Sequence, residues 1–258
     1  MVTKALKIAL YVALSGTVAF ASESGKLAAR AQKSIKAGNF AKGYSQLERA
    51  LIASRKEADR RSEGRIMIAM GQVRTMSLDY SMADSLLNYV QNEGMDRSTR
   101  IMLVKAKMAL KNATEKYSDA ISLCENVKED DLDGIEDNLQ GTFYSECAIA
   151  YAGAHNDEKA KQALKMVGKR TDDDTGIYYW TDARLADLQK SGDADAIYRK
   201  AETESVKSNT PYTTANILYH RGKFLEKSNP SEARKVLDRC KTAFELMGLP
   251  KNAERCER

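Results

Sequence analysis

The sequence predicts an all-α protein, a stack of about six helix-turn-helix hairpins, and three observations carry that reading. Proline is nearly absent. Only Pro211, Pro230 and Pro250 occur in 258 residues, about 1% against a usual share of roughly 5%, so a Pro-rich linker, a stalk or a loop-rich sandwich is disfavoured. Small residues followed by apolar ones at offsets of four and seven recur along the chain, which marks one face of a helix each time. Short Gly, Asn or Asp turns separate the periodic stretches, and those residues tolerate the left-handed backbone that ends one helix and caps the next. With 43% hydrophobic and 30% charged residues, the chain suits a folded and well-solvated protein.

The first 21 residues stand apart from this pattern. Lys4 and Lys7 give a basic start, Ile8 to Ala21 is uncharged and mostly apolar, and Ala19-Phe20-Ala21 has the small-x-small form that a signal peptidase reads. The apolar stretch is too short for a membrane span, which needs about 20 residues. Cleavage after Ala21 leaves 237 residues and a net charge of 39 − 36 = +3. Both signs are interspersed without a basic stripe, so nucleic-acid binding is not expected. The expected division is 1–21 signal peptide, 22–248 repeat domain and 249–258 C-terminal capping segment, with export to a bacterial periplasm or medium and no membrane span left after cleavage.

The second helix of each hairpin is marked by Gly43, Ala83, Ala120, Ala160, Ala196 and Ala233, at spacings of 40, 37, 40, 36 and 37. Four residues on stand Leu47, Leu87, Cys124, Leu164, Lys200 and Leu237; seven on stand Ala50, Val90, Val127, Val167, Thr203 and Cys240. The fifth copy breaks the pattern, unless Ile197 and Ala201 carry its face. Each upstream helix has its own small residue: Ala31, Gly71, Ala106, Ala148, Ala183 and Gly222. The turns between are Gly38-Asn39-Phe40, Asp79-Tyr80, Lys116-Tyr117, Asn156-Asp157, Gly192-Asp193 and Asn229-Pro230.

This pattern resembles the tetratricopeptide repeat (TPR) family. The best matches are Met67-Ala69-Met70-Gly71 with Tyr80, Ala83, Leu87 and Val90, and Tyr144-Ala148-Tyr151 with Ala160, Leu164 and Val167. The period of 36 to 40 exceeds the family's 34, and the family's closing proline is missing from every unit. The resemblance implies a right-handed superhelix whose concave face is lined by the first helix of each pair, and a scaffold that holds a protein or peptide partner there. Carried over position by position, that face holds Arg65, Ile68, Gln72, Thr75 and Met76; Arg100, Leu103 and Lys107; Thr142 and Ser145; Tyr179; and Asn216, Tyr219 and Lys223. The subclass that clamps chaperone C-termini is not implied, because its positions hold Ala28 and Gln32.

Sites of chemistry are scarce. His155 and His220 are the only histidines and lack metal-ligand spacing, and no nucleophile elbow or phosphate-binding glycine loop occurs. An enzyme is not expected, nor a cofactor. Glu129-Asp130-Asp131-Leu132-Asp133-Gly134 has acids where a calcium loop has them, yet Gln140 stands where that loop needs a bidentate Glu; this stretch and Asp172-Asp173-Asp174-Thr175 read as acidic connections. Asn112-Ala113-Thr114 matches a glycosylation acceptor at an exposed turn. In Tyr178-Tyr179-Trp180, Trp180 reads as core, while Tyr178 and Tyr179 suit either core or surface.

Four cysteines in an exported chain suggest disulfides, with three connectivities open. Cys124 and Cys147 flank the Asp133-Gly134-Ile135 connection symmetrically, and Cys240 and Cys256 flank Gly248. Helices that turn back at those points bring each pair level, so Cys124–Cys147 and Cys240–Cys256 are the expected bonds, four free core thiols being the alternative. Taken together, the function expected is an exported interaction scaffold; the alternatives are a structural subunit of a cell-envelope assembly and a hydrolase of envelope polymers. N-terminal sequencing of the exported protein should find Ser22 first; an intact Met1 form would rule the leader out.

Overall fold

The periodic stretches fold as helices. The computed structural model describes residues 22–90, 95–171 and 176–257; the expected signal peptide and the acidic connection 172–175 lie outside the described residues. Among these residues there are fourteen helices and no strand: α1 Glu23–Lys36, α2 Phe40–Lys56, α3 Arg60–Met76, α4 Tyr80–Tyr89, α5 Arg97–Ala113, α6 Tyr117–Glu125, α7 Glu129–Leu132, α8 Asp137–Gly153, α9 Asp157–Arg170, α10 Gly176–Leu188, α11 Ala194–Lys207, α12 Pro211–Leu225, α13 Pro230–Leu246 and α14 Pro250–Arg255. The strongest packing joins chain neighbours: α1 with α2, α3 with α4, α5 with α6, α8 with α9, α10 with α11, and α12 with α13. The first helices of these hairpins also pack in succession, α3 on α5, α5 on α8, α8 on α10 and α10 on α12. The fold is all-α.

One cap ends most of the first helices. Gly38, Leu78, Glu115, His155 and Lys190 all have positive φ, between 56° and 82°. After each, the next backbone N–H reaches back to the carbonyl five residues earlier, as from Asn39 to Ser34 and from Asp79 to Arg74. This bond pattern satisfies carbonyls that a helix end leaves free. Only the first of the five is glycine, so the other four turns hold a left-handed residue that carries a side chain.

Close approach inside the hairpins rests on the small residues. A Cβ on Gly43 would meet Ile35 at 2.4 Å, and Cβ atoms on Gly71 and Gly222 would meet Leu87 and Leu237 at 2.7 and 2.5 Å. Ala31, Ala83, Ala106, Ala120, Ala148, Ala160, Ala183 and Ala233 are all buried at the corresponding positions. The fifth hairpin corrects the sequence reading. Ala196, Lys200 and Thr203 are not in the core: Ala196 and Lys200 are exposed, and the Thr203 hydroxyl donates to the Arg199 carbonyl on the surface. Ala194, Tyr198 and Ala201 are fully buried instead. They keep the four-and-seven pattern two residues upstream, because the helix turns at Lys190 rather than at Gly192. Of the two residues offered as substitutes, Ala201 is buried and Ile197 is only partly so.

The cysteines pair as expected from their symmetric placement. Cys124 of α6 bonds to Cys147 of α8, and Cys240 of α13 bonds to Cys256 just after α14, with Cα–Cα separations of 5.7 and 6.0 Å. Gly248, at φ 69°, supplies the turn that sends α14 back along α13.

The two ends of the chain share one core. Leu27, Ile35, Phe40 and Val73 from α1–α3 belong to the same buried cluster as Leu218, Phe244, Met247 and Leu249 from the last hairpin. The Phe40 ring lies 5.5 Å from that of Tyr212, which in turn lies 6.0 Å from Phe244. The Tyr212 hydroxyl and the Asn252 amide both donate to the carbonyl of Met76, at 3.1 and 3.0 Å. The helical stack therefore curls until its last hairpin meets its first two.

Large-for-small substitution tests the corrected register. Ala194→Trp and Ala160→Trp should each lower stability by roughly 1–3 kcal/mol or more through overpacking, whereas Ala196→Trp should change it by no more than about 0.5 kcal/mol. Urea unfolding of the three variants reads the difference; equal losses at 194 and 196 would refute the register.

Candidate functional site

The residues placed on the concave face by the family frame lie on the first helices, and they divide by burial. Arg65 is 4% exposed. Its Nε donates to Thr99 at 2.9 Å and its Nη2 lies 3.3 Å from Asp96, so it fastens α3 to α5. Ile68 and Leu103 are core residues. Gln72 and Met76 are half-buried near the end of α3. Tyr219 is half-buried beneath the guanidinium of Arg255, 4.1 Å from its ring centre. Tyr179 is half-buried with the Lys200 ammonium 4.4 Å above its ring, and Lys223 is ion-paired with Glu226. Arg100 is exposed and Lys107 half-buried, both on α5. Seven residues apart, they share one side of that helix.

Polar contacts run from one first helix to the next. The Ser145 and Thr181 hydroxyls are 2.6 Å apart between α8 and α10. Asn112 donates to the carbonyl and the carboxylate of Glu146, each at 2.9 Å, linking α5 to α8. Asn112 was expected at an exposed turn; it closes α5 and is half-buried by this contact. Lys105 is also buried on α5. Desolvation lowers its pKa to about 8, opposed by the Glu146 carboxylate, whose own pKa burial raises.

A second cluster gathers where α10, α11 and α12 meet. Arg184 Nη1 lies 2.6 Å from Asp187, 3.3 Å from the Tyr198 hydroxyl and 2.9 Å from Nδ1 of His220. The Tyr198 hydroxyl donates to Asp187 at 2.8 Å. Desolvation, then the guanidiniums of Arg184 and Arg255, hold the His220 pKa well below its usual value. A neutral ring accepts from Arg184 at Nδ1 and carries its proton on Nε2. Trp180 and Tyr219 flank this imidazole at 5.6 and 4.9 Å between ring centres.

Compared with known proteins, the chain matches no protein-family model and no curated protein sequence. Among the described residues, no three His, Cys, Asp or Glu side chains gather as metal ligands. Of the acidic stretch 129–134, Glu129–Leu132 forms α7, where the Asp131 carboxylate accepts from the Lys128 N–H at 3.1 Å, and Gln140 donates to the Ile135 carbonyl.

Sequence reasoning missed the Arg184–Asp187–Tyr198–His220 cluster, and also the contacts of the chain's own end with the Met76 carbonyl and the Tyr219 ring. The spacing of Arg184 and Asp187 was a local sign, since positions three apart meet on a helix. Nothing in the periodic pattern points to Arg255 or Asn252.

The depressed His220 pKa gives stability a definite pH dependence. An unfolded His takes up a proton near pH 6.5 while the folded one does not, so stability falls as pH drops below that value. Below pH 6.5 stability should therefore fall, with a slope of at most ~1.4 kcal/mol per pH unit, and the His220→Asn variant should lose that component in urea unfolding at matched pH.

Proposed function

We propose that the chain is an exported interaction scaffold, a right-handed solenoid of about six TPR-like hairpins that holds a protein partner along its first helices. The observation that carries this reading is the successive packing of α3, α5, α8, α10 and α12, tied by polar side-chain contacts one hairpin apart. A row of equivalent helices offers an extended surface whose side chains vary while its backbone repeats. Arg100 and Lys107 are the accessible cations of that row on α5, and they suit an acidic segment of the partner. Two cysteine pairs fit an oxidising, exported compartment. Among the described residues, no helix is long and apolar enough to cross a membrane.

A second reading, a structural subunit of an envelope assembly, is favoured by one observation. Met82 and Tyr89, seven apart on α4, are exposed apolar side chains on a second helix. Photo-crosslinkers at Arg100, Lys107, Met82 and Tyr89 separate the two readings. Crosslinks to one protein at 100 and 107, with binding of that purified protein weakened at least about tenfold by Arg100→Glu with Lys107→Glu, are the expected result. Crosslinks confined to 82 and 89 would replace the scaffold reading with the assembly one.

A further inference from the structure

The chain does not stop at its last hairpin. After Gly248, α14 folds back, and its six residues are too few to hold a helix by themselves. What holds it is a set of contacts at both of its ends. Asn252 is fully buried and grips the Met76 carbonyl, joining residues 176 apart in sequence. That carbonyl ends α3 and has two lone pairs, of which Tyr212 takes the other. Arg255 donates to Asn216 at 2.5 Å and covers the Tyr219 ring. The next residue, Cys256, is bonded to Cys240 of α13.

Tyr219, whose ring Arg255 covers, and Met76, whose main-chain carbonyl Asn252 holds, both belong to the row of first-helix positions that would face a partner. The covering segment is short, comes from the same chain, and is fastened by one covalent bond. Cys256, itself 3% exposed, borders an open cleft of about 390 Å³ with Leu237, Lys241, Arg234 and Glu257, so the buried bond lies at the edge of that cleft. By contrast, Cys124–Cys147 joins α6 to α8, which pack on each other within one local stretch, and touches none of these contacts.

We propose that α14 is a redox-governed latch: oxidised, Cys240–Cys256 keeps the ends of the helical stack closed over the Tyr219 ring and the Met76 carbonyl, and its reduction releases both. The reductant is a dithiol. When the six-residue helix opens locally, its thiolate attacks Cys256 Sγ, forming a mixed disulfide and releasing the Cys240 thiolate, which takes up a proton. The second thiol of the reductant then displaces Cys256. Two electrons and two protons pass to the protein, and the reductant leaves as its own disulfide. Opening itself needs no partner; only the use of the uncovered positions rests on the first-helix reading above.

The test uses the full mature chain. In the Cys240→Ser, Cys256→Ser protein, amide exchange over 249–257 and over the 74–80 turn should quicken at least tenfold, while the other helices keep their protection. Nitration of Tyr219 by tetranitromethane, read by peptide mapping, should rise by a similar factor. Dithiothreitol-treated wild type should repeat the exchange result, and Cys124→Ser with Cys147→Ser should not. Asn252→Ala, with both disulfides intact, should loosen the 74–80 turn but leave 249–257 attached to α13. Unchanged protection and nitration in the Cys240→Ser, Cys256→Ser protein would overturn the latch. So would loss of protection spread evenly over every helix, or an Asn252→Ala protein as protected as wild type at 74–80. None of these failures bears on crosslinking at Arg100 and Lys107, so the scaffold reading is judged separately.

Discussion

The architecture depends on how closely two helix backbones can approach inside one hairpin. Where a Cβ would stand 2.4 to 2.7 Å from Ile35, Leu87 or Leu237, the chain has glycine; at the other crossings it has fully buried alanines such as Ala83, Ala120 and Ala160. Close crossings permit short turns, and short turns lay successive first helices side by side. Once they are side by side, polar side chains one hairpin apart can bond. Arg65 with Thr99, Asn112 with Glu146, Ser145 with Thr181, and Arg184 with His220 are 34, 34, 36 and 36 residues apart. Each ties one first helix to the next, and each sits among residues with little exposure, where a hydrogen bond left unmade would cost more than it would in water.

Cationic side chains follow the same logic. Arg221 is 4% exposed and meets Asp195, Glu202 and Glu232. A charge taken so far from water is tolerated because acids from α11 and α13 surround it, and removing any one of them leaves the rest unbalanced. Arg184 is held in the same manner by Asp187 and two neutral acceptors. These groups link α10, α11, α12 and α13 through charge, beside crossings that are closed by small residues.

What was legible in the sequence is what repeats. Ala31, Gly43, Gly71, Ala83, Ala160 and Gly222 declare their role by spacing, and both cysteine pairs follow from where the helices must turn. The fifth hairpin was misplaced by two residues because Gly192-Asp193 is the more obvious turn, whereas the left-handed residue is Lys190. Ala194, Tyr198 and Ala201 carried the correct register all along. The helices that carry Arg65, Gln72, Met76, Tyr179 and Tyr219 were legible too. The surroundings of those side chains were not. Arg65 turned out to be a fastening between helices, while residues from the far end of the chain hold the Met76 carbonyl and cover the Tyr219 ring. Contacts that span most of the sequence leave no periodic trace in it.

The same disparity in contact range has a consequence for how the molecule is made. Each hairpin closes through contacts within about 40 residues, while the two ends meet through bonds that span 136 and 176 residues. Local contacts form first, because a long loop must lose more entropy before its contact gives anything back. The stack therefore assembles from neighbours outward and the curl is completed last, by α12 to α14. A chain that ends before those helices keeps its inner hairpins but leaves Phe40, Ile35 and Val73 without their covering partners. Truncated copies would thus be folded yet adhesive, each carrying an apolar edge shaped to accept the missing end from another molecule.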